Sequence, residues 1–131
     1  TKRSREKRKP PLTMPRKVDT MVKYEKYNLI VNGKVIKCFK FEIRNVIEHG
    51  DEFIVLLEIP FDNNIEKNNI LRVDGSGNVV WTIENSGYSN NIYPFEQMTL
   101  RDGWIYATDF YARRLKVNIK TGKIVDMTIS K

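Results

Sequence analysis

Ile70-Leu71-Arg72-Val73-Asp74-Gly75-Ser76-Gly77-Asn78-Val79-Val80-Trp81-Thr82-Ile83 decides the fold, because two runs of strand-forming residues flank five turn-forming ones. β-branched and aromatic side chains suit a pleated surface, while Gly, Asn and Asp take the backbone angles of tight turns. The segment therefore reads as an antiparallel hairpin. The same grammar recurs on both sides of it. Asn28-Leu29-Ile30-Val31 and Lys34-Val35-Ile36-Lys37 flank Asn32-Gly33, the strongest short hairpin signal, since both central residues of a type I′ turn need positive φ. Leu115-Lys116-Val117-Asn118 and Lys123-Ile124-Val125-Asp126 flank Lys120-Thr121-Gly122. Trp104-Ile105-Tyr106-Ala107 follows an Asp102-Gly103 turn.

Phe53-Ile54-Val55-Leu56-Leu57-Glu58-Ile59 is nearly all apolar, which predicts a central strand buried on both faces and stopped by Pro60. The polar stretches 61–69 and 84–91 read as loops, with room for one short helical turn in the first. No segment carries a sustained helical period. The fold class expected is all-β, with strand content above about 40% and helix below about 10% from residue 24 onward. Ile54, Leu56, Trp81 and Trp104 are expected in the core.

The turn glycines Gly33, Gly77 and Gly122 lie 44 and 45 residues apart, and Leu29, Leu71 and Leu115 precede them. A period of this length with several strands per unit is a sign of stacked propeller blades. Asp74 through Trp81 and Asn118-Ile119-Lys120-Thr121-Gly122-Lys123-Ile124-Val125 resemble the outer hairpins of quinoprotein-type (PQQ-like) β-propeller blades, where an acidic or amide residue opens the turn. The body is also similar to short bacterial and phage proteins built from a few such blades. The resemblance covers about residues 24–131 and implies a partial, half-propeller-like stack of antiparallel hairpins, within a single all-β domain expected over residues 21–131. It implies no cofactor, because no position matches a quinone site. Such a stack is expected to expose strand edges and an apolar end face.

Charge divides the chain differently. Residues 1–17 hold eight bases (Lys2, Arg3, Arg5, Lys7, Arg8, Lys9, Arg16 and Lys17) and one acid, Glu6, which equals the whole net charge of +7. The rest is neutral. Pro10, Pro11 and Pro15 disfavour helix, and only Leu12 and Met14 offer sizeable apolar surface. Residues 1–20 are therefore expected to form an extended basic arm. Arms of this composition bind phosphate-rich surfaces by counterion release, though an acidic protein surface or a plain solvated tail fits as well.

Chemistry is thinly represented. One His and one Cys cannot build a four-ligand metal site, so no metal is expected. His49 reads as a turn residue and Cys38 as a small hydrophobe on a strand. P-loop, nucleophile-elbow and zincin patterns are missing. Glu52, Glu58, Asp102 and Asp109 could pair for glycoside chemistry, but solvated strand faces explain them better. Catalytic residues are therefore set at none, and the chain is expected not to be an enzyme. Nothing approaches a membrane-spanning apolar run, no secretory leader is expected, and one Cys fits a reducing, cytoplasmic setting.

The function expected is binding. The β body would dock on a protein partner or its own copy, through Tyr88, Tyr93, Phe95 and Tyr111. The arm, with Arg113 and Arg114, would attach to an anionic surface such as nucleic acid. Two alternatives stand beside this: an immunity or anti-defence protein that neutralises a toxin or nuclease, and an unrecognised carboxylate-dependent hydrolase.

Overall fold

The computed structural model describes residues 20–60, 68–83, 94–109 and 112–129. Eleven strands occupy most of them, and no helix occurs among the described residues. β1 (Val22–Glu25), β2 (Asn28–Val31) and β3 (Lys34–Cys38) form one sheet. β4 (Glu42–His49), β5 (Glu52–Glu58), β6 (Ile70–Val73) and β7 (Val79–Thr82) form a second, in chain order. β8 (Phe95–Arg101), β9 (Trp104–Asp109), β10 (Arg113–Asn118) and β11 (Ile124–Ile129) form a third. Every pairing is antiparallel between sequence neighbours.

The apolar run of β5 explains the layering. Phe53 to Leu57 are all buried, which alternating side chains permit only if both faces of the sheet are covered. Phe53, Val55, Leu57 and Val73 pack with Leu29 and Phe39 toward the first sheet. Ile54, Leu56, Ile70 and Trp81 pack with Met98, Ile105, Leu115 and Val117 toward the third. Each such side chain contributes roughly 1.5–3 kcal/mol of transfer free energy. The middle sheet is thus the shared wall of two cores.

Gly33, Gly77 and Gly122 all lie in strand-connecting turns. The β6–β7 turn shows how its residues work. The Asp74 carboxylate accepts hydrogen bonds from the backbone N–H groups of Ser76 and Asn78, each at 2.9 Å. The Asn78 backbone N–H, followed by weaker donors, holds its carboxyl below the ordinary carboxylate range. The charged form is the one the fold favours, so its contribution is full above the ordinary pKa and is lost as pH falls through the lowered one. Asp74→Ala is expected to lower the melting temperature at neutral pH, and the gap from wild type should close on acidification. Thermal unfolding across an acid series measures it.

Trp81, Leu56 and Ile54 sit in the core as expected. Trp104 does not: it is half-buried on the outer side of β9, because Ile105, Ala107 and Asp109 take the inward positions. Cys38 ends β3 and is exposed rather than packed. His49 ends β4, opposite Glu52 across the turn.

Candidate binding face

The three sheets dock by a repeated contact. In the first repeat, Gly77 lies so close to the Ile36 carbonyl of β3 that a Cβ there would overlap it. In the second, Gly122 lies under the Trp81 ring of β7, and an added Cβ would sit 2.5 Å from Cε3. Trp81 Nε1 donates to the Ile119 carbonyl at 2.8 Å, and Arg72 donates to the same oxygen at 2.7 Å. Arg72 is held from behind by Glu52. Each time, the last strand of one sheet covers the turn glycine of the next.

The third sheet carries the corresponding positions but not the corresponding residues. Arg72 pairs with Trp81 across β6–β7, and the matching pair two residues before the Asn118 turn is Lys116 with Asp126. Alternation along β9 and β10 puts Trp104, Tyr106, Thr108, Arg114 and Lys116 outward together. At this end of the stack the expected apolar face is therefore corrected to a polar and aromatic one. Lys116 Nζ stands 4.3 Å from the Trp104 ring centroid, and the Arg101 guanidinium 4.7 Å from that of Tyr106. An open depression of about 140 Å³ beside them is lined by Tyr106, Arg114, Lys116, Asp126, Met127 and Thr128.

Of the residues singled out from sequence, Arg114 is the one that lies on this face. Arg113 points to the other side, where its Nε donates to Asp109 at 2.7 Å and its backbone N–H to the second carboxylate oxygen at 3.0 Å. Asp109 is 4% exposed, so Arg113 neutralises a buried carboxylate and is not a surface contact. Phe95 is 2% exposed and belongs to the core between the second and third sheets, which removes it as a partner-binding residue. Tyr88, Tyr93, Tyr111 and the arm residues Lys2, Arg3, Arg5, Lys7, Arg8, Lys9, Arg16 and Lys17 lie outside the described residues. Sequence reading passes over Tyr106, Arg101 and Lys116 and assigns Trp104 to the core. The signal was present in the alternation of Trp104-Ile105-Tyr106-Ala107, where every second residue is aromatic, but it does not say which side is the core.

Among the described residues, no three His, Cys, Asp or Glu side chains lie together as a metal site, and no helix is long and apolar enough to cross a membrane. Residues 19–129 match the family described as domain of unknown function DUF7957. The chain belongs to the DUF7957 family. The DUF7957 match takes in all eleven strands, including the outer face of β8–β11, and leaves the basic residues 1–17 outside it. Curated proteins yield no match to the chain.

Proposed function

We propose that this chain is a non-catalytic binding protein that attaches to nucleic acid. The observation that carries this reading is the end face of β8–β11. A position that docks protein on protein in the second sheet, Arg72 with Trp81, is replaced in the third by Lys116 and Asp126, beside Arg101 and Arg114. The excess charge of the chain lies in residues 1–17 and has the same sign. In this reading the repeated glycine contact makes the stack a partial propeller of the quinoprotein type, and the compartment is the cytoplasm.

Self-association end to end is disfavoured. The first sheet and its turns carry Lys23, Lys26, Lys34 and Lys37 against Glu25, so that sheet is net basic like the face of β8–β11, and like charge opposes the close approach of two copies. An anionic partner removes that repulsion. Substituting the eight bases of residues 1–17 by Gln is expected to weaken binding of a short oligonucleotide strongly. If about six bases release counterions from a duplex, log K should fall against log salt with a slope near about −5, so a fourfold rise in salt costs about 10³ in affinity. Fluorescence anisotropy over a salt series measures this, and a slope near zero rejects the reading.

A second reading keeps one observation of its own. Val79 and Val80 on edge strand β7 are exposed, and an open apolar edge can pair with a strand of another protein, as an inhibitor of a toxin or nuclease would use it. Val80→Lys should then abolish capture of that protein while leaving oligonucleotide binding intact.

A further inference from the structure

We propose that the outer face of β8–β11 binds the unpaired bases of single-stranded nucleic acid, with Trp104 and Tyr106 as stacking stations and Arg114 toward the phosphates. The proposal rests on the nucleic-acid reading above and specifies its ligand and its residues.

Spacing carries the first step. Trp104 and Tyr106 are two residues apart on one strand and face the same way, which sets them about 7 Å apart along β9. Successive bases of a duplex strand rise about 3.4 Å. Two neighbouring bases can meet both rings only after separating from one another, which a single strand allows and a duplex resists. The shape of the face gives the same answer. A four-stranded sheet offered broadside cannot enter a groove that admits a helix or a two-stranded ribbon, whereas a flat aromatic sheet is the surface on which splayed bases stack.

The cations complete the platform. Arg101 lies over Tyr106 and Lys116 over Trp104. A guanidinium plane accepts a base on its outer side while its N–H groups reach phosphate oxygens. Lys116 swings on a flexible stem and can release Trp104 to a base. Asp126, at the depression beside Tyr106, repels a bare polyphosphate or sulfated chain but accepts from a base N–H, such as the N3–H of thymine, or from a ribose 2′-hydroxyl. A mixed ligand, anionic along its backbone and donor-bearing at its bases and sugars, fits this arrangement better than a uniform polyanion.

The test uses the full chain with oligothymidylate, an abasic strand of equal length, the matching duplex and polyglutamate. Oligothymidylate should bind about tenfold or more tighter than the abasic strand, as loss of stacking on one or more bases implies. Tyr106→Ala should lower its affinity about tenfold and leave the abasic strand unaffected. Binding should quench tryptophan emission, and Trp104→Phe should remove the quench while keeping most of the affinity, since Phe still stacks. That conservative variant keeps the test valid if an Ala variant proves unstable. Equal affinity for thymidylate and abasic strands overturns the proposal while leaving the nucleic-acid reading standing, provided the salt slope is steep. Preference for polyglutamate, or no binding to any strand, overturns both.

Discussion

Gly77→Ala and Gly122→Ala are each expected to destabilise the protein by about 3 kcal/mol or more, and Gly33→Ala by only about 1 kcal/mol. All three have positive φ, at 89°, 76° and 79°, so an L side chain costs about 1–2 kcal/mol at each from backbone strain alone. The rest of the difference is contact. A Cβ at Gly77 overlaps the Ile36 carbonyl, a backbone atom of β3 that cannot turn aside as a side chain can. At Gly122 it meets Cε3 and Cδ2 of Trp81 at 2.5 and 2.6 Å, and the ring cannot retreat without losing its hydrogen bond to Ile119. Overpacking of this kind adds roughly 1–3 kcal/mol. Gly33 has nothing within 4 Å. Urea unfolding of the three variants separates the terms, and equal losses at all three would show that strain, not sheet docking, sets the cost.

Those three glycines also mark how far the sequence could be read. Their turns were legible because positive φ leaves a local signature of Asn, Asp and Gly. Trp81, Leu56 and Ile54 were legible because a strand centre rich in apolar residues must be covered. The strand β8 was harder. Its inward residues Phe95, Met98 and Leu100 are spaced by three and then two, because the register shifts between Phe95 and Gln97. A bulge of this sort breaks the period of two that identifies a strand. Trp104 reads as core for a related reason: alternation fixes which residues share a face, but the core side depends on which sheet lies opposite. The cation-covered face of β8–β11 could not be read locally, since Arg101, Tyr106 and Lys116 come from three strands. Phe95 and Arg113 misled because an aromatic near a loop and a paired base look like surface until Asp109 and the second sheet are in view.

Asn69 is the other position from which a large effect is expected. It precedes β6, is 1% exposed, and its side chain makes three hydrogen bonds. Nδ2 donates to the Leu57 carbonyl at 2.7 Å and to the Phe95 carbonyl at 2.9 Å, while Oδ1 accepts from the Phe95 N–H at 2.8 Å. One amide thus joins the end of β5 to the start of β8, across the second and third sheets. Asn69→Leu keeps the volume and removes all three bonds. Each buried backbone group left poorly partnered costs about 1–3 kcal/mol, so with three such groups a loss of about 3 kcal/mol or more is expected. Asn69→Asp gives the sharper result, because pH reports on it. The introduced carboxyl would face two carbonyl oxygens in a buried site, and burial beside acceptors raises its pKa above the unfolded value. Its neutral form can donate one hydrogen bond; its charged form can donate none. The stability of this variant should therefore be highest in acid, below the unfolded carboxylate pKa, and fall as pH rises through the raised folded value. Wild type has no such group at this position. Chemical unfolding of both proteins from mildly acidic to neutral pH measures the difference, which should widen toward neutrality. A constant difference would mean that the carboxyl reaches solvent, and that the link between β5 and β8 opens more easily than its three hydrogen bonds imply.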